Sequence, residues 1–142
     1  MQRGRPLPED IEERLVTLGR ALEACPDVQF AYLFGGAARG RLTPLSDVDV
    51  AVFLAEGTDL EEGRLAALGL ATRHLGTDEV DLVVLNTAPS ALLARILPNR
   101  LVLLDRVPFR RHRFESLEAR KAADFRIFER RVLERRFGRG RA

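Results

Sequence analysis

Three aspartates and a glycine pair carry the chemistry the sequence suggests. In the stretch LFGGAARGRLTPLSDVDVAVFL, Leu33 to Leu54, Gly35 and Gly36 close one apolar run, and Asp47 and Asp49 open another. Residues two apart on a strand project to the same face, about 7 Å apart along the chain. Two carboxylates so placed in an apolar segment repel each other unless something positive lies between them. A third acid, Asp81, sits in a later apolar run, EVDLVVLN. Aspartate is disfavoured in strands, so its recurrence asks for a reason. If the strands bearing Asp49 and Asp81 are neighbours, three carboxylates converge on one patch of sheet. Two divalent cations about 4 Å apart, clamped by such carboxylates, are suited to in-line displacement at phosphorus.

The glycines supply the other half of that chemistry. A strand ending in Gly35-Gly36 before a helical turn offers backbone N–H groups without side-chain obstruction, and phosphate oxygens bind well at such a helix start. Arg39 and Ser46 add a fixed positive charge and a hydroxyl. Together these describe a triphosphate held by metal and backbone. Each piece alone reads more simply, as a turn, an exposed loop or an edge-strand charge. Their order is the informative part: turn glycines, then an acidic pair opening a strand, then a later strand with one more acid.

The elements that must position these residues follow from periodicity. Leu7 to Cys25 reads as one helix, with Pro8 in its first turn and Ile11, Leu15, Leu18, Leu22 and Cys25 on one stripe. Val28 to Phe34 is a strand closed by the glycines, and Ala37 to Arg41 suits a short helix. Val48 to Leu54 is a second strand, Thr58 to Leu75 a helix stopped by Gly76, and Glu79 to Leu85 a third strand. Thr87 is placed to cap a helix that runs from Pro89 to Leu97, and Leu101 to Leu104 is a fourth short strand. Arg110 to Phe137 reads as a long helix, with Gly138 to Ala142 fraying beyond it. Alternating helices and strands make an α/β fold, a small mixed sheet flanked by helices. The 142 residues suit a single domain, 1–142, with its core at about 28–105 and the long helix at about 110–137.

Composition narrows the function classes. With 46% hydrophobic and 31% charged residues, and no apolar run of membrane-spanning length, the chain is expected to be soluble, without a membrane partner. The opening MQRGRPLPED lacks the apolar stretch of a signal peptide, which favours the cytoplasm. Cys25 stands alone, and with only His74 and His112 beside it there is no zinc-ligand spacing. Any metal is therefore expected on oxygen ligands, which suits Mg²⁺ or Mn²⁺. Charge is unevenly spread: residues 1–105 carry 10 basic and 16 acidic side chains, residues 106–142 carry 13 and 5. The basic tail suits either an acidic partner or the chain's own acidic body.

The combination of GGAARGRLTPLSDVDVAV with EVDLVVLN resembles the nucleotidyltransferase superfamily related to DNA polymerase β. The shortness of the chain resembles its minimal nucleotidyltransferase branch, the antitoxin partners of HEPN-domain toxins. The likeness runs from about Val28 to Asp105. It implies a polymerase β-like fold in which Asp47 and Asp49 bind two Mg²⁺ ions and Asp81 binds the catalytic one and helps activate an acceptor hydroxyl. It also implies that Gly35, Gly36 and Ser46 touch the triphosphate of ATP. Many members carry Gly-Ser where this chain has Gly35-Gly36, so one phosphate-binding hydroxyl is absent here.

The resemblance implies transfer of AMP from ATP to a tyrosine of a HEPN ribonuclease, which would silence it. A module that neutralises a toxin by binding alone, and an enzyme for a small hydroxylated molecule bound between two copies of the chain, remain alternatives. In the C-terminal helix, Phe114, Leu117, Phe125, Phe128 and Val132 are enough for one buried stripe, and some of Arg120, Arg126, Arg130, Arg131, Arg135 and Arg136 are expected to be neutralised internally. The aromatics stand at core spacing rather than as stacking platforms, so a nucleic-acid groove is not expected.

Overall fold

In the computed structural model, residues 6–137 are described; the expected fraying of Gly138 to Ala142 lies outside them. Four strands form one sheet in the order β3-β2-β1-β4: β1 Val28–Phe34, β2 Val48–Leu54, β3 Val80–Val84 and β4 Leu101–Asp105. β1 runs antiparallel to both β2 and β4, whereas β2 and β3 are parallel. A parallel pair needs a crossover, which helix α4, Leu60–Leu75, provides. Asp59 caps α4 by accepting the Glu62 N–H at 3.0 Å, and Gly76 ends it at φ 69°, a left-handed conformation that favours glycine.

The two faces of the sheet are built differently. On one, Ala31 and Leu33 of β1, Val48, Val50, Val52 and Leu54 of β2 and Leu82 of β3 form the main core with Ala67, Ala71 and Leu75 of α4. Helices α1, Ile11–Val16, and α2, Leu18–Leu22, add Ile11, Leu18 and Leu22 to that cluster. On the other face Phe30 stacks on Phe53 with ring centroids 4.7 Å apart, and Tyr32 is fully buried. Leu93 and Ile96 of α5, Ser90–Ile96, are also buried but lie outside the first cluster. Asn86 fastens the far end of β2, donating to the Leu54 carbonyl and accepting the Leu54 N–H, both at 2.9 Å.

Three expectations are corrected. The helix expected over Leu7 to Cys25 is two helices broken at Thr17, whose backbone takes φ −100° and ψ 1°. The Thr17 hydroxyl lies 2.8 Å from His74 Nε2 and donates to the Arg14 carbonyl at 3.2 Å. Its partner His74 is 57 residues away, so no local pattern signals the break. The short helix expected at Ala37 to Arg41 is α3, Gly35–Ala38, and starts at the glycines themselves. Thr87 does not cap α5; it ends a 3₁₀ turn, and the residue at the helix start is Pro89.

The chain divides into two compact units, one through Pro108 and one from Phe109 onward. The second, in its described part, is helix α6, Pro108–Phe137, from its second residue onward. Within it, Arg111 pairs with Glu115 at 3.1 Å and Lys121 with Glu118 at 3.2 Å. Of the expected buried stripe Phe114 is half-buried, whereas Leu117, Phe125, Phe128 and Val132 are exposed. None of Arg120, Arg126, Arg130, Arg131, Arg135 and Arg136 makes an ion pair among the described residues. Within α6 the acids are fewer than the arginines. No described helix is long and apolar enough to cross a membrane.

Candidate active site

Sheet register brings the sequence-predicted residues together. Phe34, the last residue of β1, pairs with Asp49, and Asp49 pairs across the parallel ladder with Asp81. Directly opposed residues share a face, and neighbouring strands lie about 4.8 Å apart. Asp49 and Asp81 thus project together, at the end of the sheet where Gly35 begins α3. Asp47 precedes β2 by one residue and is exposed, as is Asp81; Asp49 is half-buried.

The glycine turn is built around Asp49. Gly35 sits at φ 67°, and a Cβ added to it would overlap the Asp49 carboxylate, 3.1 Å from its carboxyl carbon. Both the backbone conformation and the space therefore require glycine. Gly36 differs: a Cβ there would meet nothing nearer than the Arg41 carbonyl oxygen at 3.6 Å, an ordinary contact. No side chain caps the start of α3, so the glycine N–H groups are not closed off by a capping hydroxyl or carboxylate.

Burial raises the Asp49 carboxyl from the ordinary carboxylate range to about 6, reinforced by the negative charges of Asp81 and Asp47 and opposed by Arg95. The neighbouring negative charges that raise the affinity of Asp49 for a proton also raise it for a cation. All three offer oxygen, the donor that Mg²⁺ and Mn²⁺ take. Among the described residues no three His, Cys, Asp or Glu side chains stand ready as a metal-holding group. The donor set fits a divalent ion in kind and in charge, but its three side chains are not gathered into a metal-holding group.

Arg95 escaped the sequence reading. Its helix, α5, leads through the Leu97–Asn99 turn into Leu101, which pairs with Leu33 beside Phe34. The end of α5 thus returns to the carboxylate end of the sheet. A surface arginine 14 residues after Asp81 gives no sequence signal of this; only the β1–β4 register does. The Ser46 hydroxyl accepts the Thr43 N–H at 2.9 Å and lies 2.9 Å from Thr43 Oγ1. It shapes the loop that delivers Asp47. Arg39 ends α3 with an exposed side chain that makes no ion pair among the described residues. An open cavity of about 570 Å³ lies at the other end of β2, lined by Asp27, Glu56, Asp59 and Glu62 among others. With that acidic lining and no cation, it is unsuited to a triphosphate.

A parallel strand pair bearing aligned carboxylates, beside a glycine turn that starts a helix, defines a protein built to handle nucleotide phosphates. The polymerase beta nucleotidyltransferase family model matches residues 17–108, and the chain belongs to that family. Among curated proteins no sequence matches it. Solved structures share the fold. One is a tri-AMPylated Shewanella oneidensis HEPN toxin in complex with MNT antitoxin, matched at 20% identity and TM-score 0.63 over 87% of this chain and 96% of that one. Another is a toxin-antitoxin structure with AMP-PNP, at 23% identity and TM-score 0.65 over 87% and 95%. A third, the toxin-antitoxin pair MntA-HepT, matches at 22% identity and TM-score 0.58 over 89% and 97%. The fold is thus that of the minimal nucleotidyltransferase antitoxins.

Proposed function

We propose that the protein transfers AMP from ATP to a hydroxyl on a protein acceptor, a tyrosine of a HEPN-type toxin, and so acts as an antitoxin. The observation that carries this reading is the double pairing of Asp49, with Phe34 at the glycine turn on one side and with Asp81 on the other. It puts Asp49 beside both the glycine turn and Asp81, and that neighbourhood supports the reading of a phosphate-binding backbone next to metal-binding carboxylates. The neighbouring structures of a tri-AMPylated HEPN toxin and of a complex with AMP-PNP support both nucleotide and acceptor.

In this reading the N–H groups at Gly35 and Gly36 hold the β- and γ-phosphates, and Gly35 keeps that approach clear. Asp47, Asp49 and Asp81 would hold Mg²⁺, which neutralises charge on the triphosphate and favours displacement at phosphorus when bound. Asp81 lies nearest the acceptor, orients its hydroxyl and takes up its proton. The acceptor oxygen bonds to the α-phosphorus, the bond from that phosphorus to the bridging oxygen breaks, and pyrophosphate leaves. Arg95 offsets negative charge beside Asp49.

The test is to mix the protein with ATP labelled at the α-phosphate, Mg²⁺ and the protein encoded beside it, and to locate label by peptide mass spectrometry. Label on a tyrosine of that protein is expected, lost in Asp49→Asn. Label on a small hydroxylated molecule instead would change the acceptor, and label remaining wholly in ATP would remove the transfer.

A further inference from the structure

Strand β3 ends the sheet, with β2 as its one strand neighbour among the described residues. The Val48 N–H donates to the Glu79 carbonyl at 2.9 Å, and Val48 stands opposite Val80 in the parallel ladder. Parallel hydrogen bonding continued from that point engages the odd-numbered residues of β3 with β2. It turns the N–H and C=O of Val80 and Leu82, and the N–H of Val84, outward. Those outward groups make no hydrogen bond among the described residues. Between Val80 and Leu82 sits Asp81, exposed and on the face it shares with Asp49. This edge is also acidic. Asp78 and Glu79 lead into β3, Asp47 and Asp49 lie at the same end of β2, and neither these carboxylates nor that of Asp81 form an ion pair among the described residues.

We propose that the outer edge of β3 takes an extended, basic segment of the acceptor protein as an added strand and so sets the acceptor tyrosine opposite Asp81. The choice of occupant rests on the transfer reaction proposed above, whereas the pairing surface does not. Added strands are held by main-chain hydrogen bonds, which are the groups this edge offers. A residue opposite Asp81 lies on the carboxylate face, one strand spacing of about 4.8 Å away. Tyrosine is longer than aspartate, so a tyrosine hydroxyl at that place stands above the carboxylates, on the side from which a nucleotide held by them is reached. The acidic surroundings favour arginine or lysine beside the tyrosine and disfavour an acidic chain or an RNA backbone. ATP adds negative charge of its own, which strengthens that preference. A second copy of this chain supplies no acceptor, because its one tyrosine, Tyr32, is fully buried.

The test uses the full chain and fluorescence anisotropy with a short labelled peptide: tyrosine at its centre, threonine and valine alternating on either side, and arginine at both ends. Binding is expected, weaker as salt rises. Single N-methyl groups on the peptide backbone read the pairing, because bonding residues alternate along a strand. In an antiparallel pair, methylating either neighbour of the tyrosine should weaken binding about tenfold while methylating the tyrosine itself is tolerated, and in a parallel pair the reverse holds. Val84→Pro removes one outward N–H and leaves the ladder to β2 whole, since Val84 sits at φ −90°, near the range of proline. It should also weaken binding about tenfold. Asp78→Lys with Glu79→Lys, in the loop before β3, should do the same and flatten the salt dependence. Circular dichroism and thermal melting confirm that each variant is folded. No binding, an equal effect of methylation at every position, or equal binding of a peptide with glutamate in place of arginine overturns the proposal. Dimerisation in sedimentation experiments that Val84→Pro abolishes overturns it in favour of a second copy. Alternating sensitivity in a peptide that takes no label from α-labelled ATP with Mg²⁺ upholds the edge and removes the transfer reading. Labelling of the adjacent-gene protein at an unchanged rate by Val84→Pro upholds the transfer and removes the edge.

Discussion

The carboxylate end of the sheet and the far half of α6 both present charge to solvent, but they hold it in different ways. At the sheet, hydrogen-bonded register decides who meets whom: Phe34, Asp49 and Asp81 are consecutive partners across three strands, and Gly35 fits against Asp49 with no room for a Cβ. On α6 the apolar side chains of Phe125, Phe128 and Val132 are exposed, as are the arginines from Arg120 to Arg136. Like charges are forced together in the first region, while in the second they are merely adjacent. Forced repulsion raises the affinity of Asp49 for a positive charge, whereas adjacency along a helix leaves each charge in water.

The sharpest way to break this contrast is to neutralise the forced cluster. Asp47→Asn or Asp49→Asn should lower AMP transfer about 10³-fold or more with the fold intact, as read by label transfer and circular dichroism. Asp81→Asn should abolish transfer to a similar degree while calorimetry still detects ATP with Mg²⁺. Joint loss of binding and turnover would take the acceptor role from Asp81.

The glycine pair sharpens the comparison within the site. Gly35→Ala should cost about 2–3 kcal/mol in denaturant unfolding, from the left-handed backbone and the displaced Asp49 carboxylate together, and reduce transfer. Gly36→Ser should stay within about 0.5 kcal/mol of the parent. Equal penalties at the two positions would mean that Asp49 does not abut Gly35 as described.

A smaller effect comes from protons. Because the folded state holds the Asp49 proton more tightly, up to about 6, than an unfolded chain does, this group removes stability as pH rises from about 4 to 6. In chelated buffer Asp49→Asn should raise the melting temperature by about 2–4 °C at pH 7.5, an effect kept modest by solvent screening, and should lose that advantage below about pH 4. A constant advantage across pH would point to packing instead of charge. The smallest effect belongs to α6: Phe125→Ser with Phe128→Ser should shift the melting of the unit through Pro108 by less than about 0.5 kcal/mol, because the phenylalanines are already exposed.

Much of the site was legible because its signals are local. The ranges of β1 and β2 follow from apolar runs bounded by turn residues, the end of α4 from Gly76, and the candidate ligands Asp47, Asp49 and Asp81 from acids out of place in strands. The facing of Asp49 and Asp81 could be framed only as a condition on strand order, which the parallel β2–β3 ladder satisfies. The break at Thr17, the return of Arg95 and the occupation of the Ser46 hydroxyl were not legible. The first two depend on residues distant in the chain. The third depends on whether a loop closes on itself at Thr43, a choice the residue types leave open.

By itself, then, the sequence determined the candidate residues for phosphate chemistry and most of the elements that carry them, because side-chain type and hydrophobic period act over a few residues. Tertiary structure alone decided that Gly35 rather than Gly36 is the constrained glycine, that Arg95 joins the carboxylate end, and that the stripe on α6 is left uncovered. Those outcomes are set by strand register and by the contacts available in space, and neither is written in the local period of the chain.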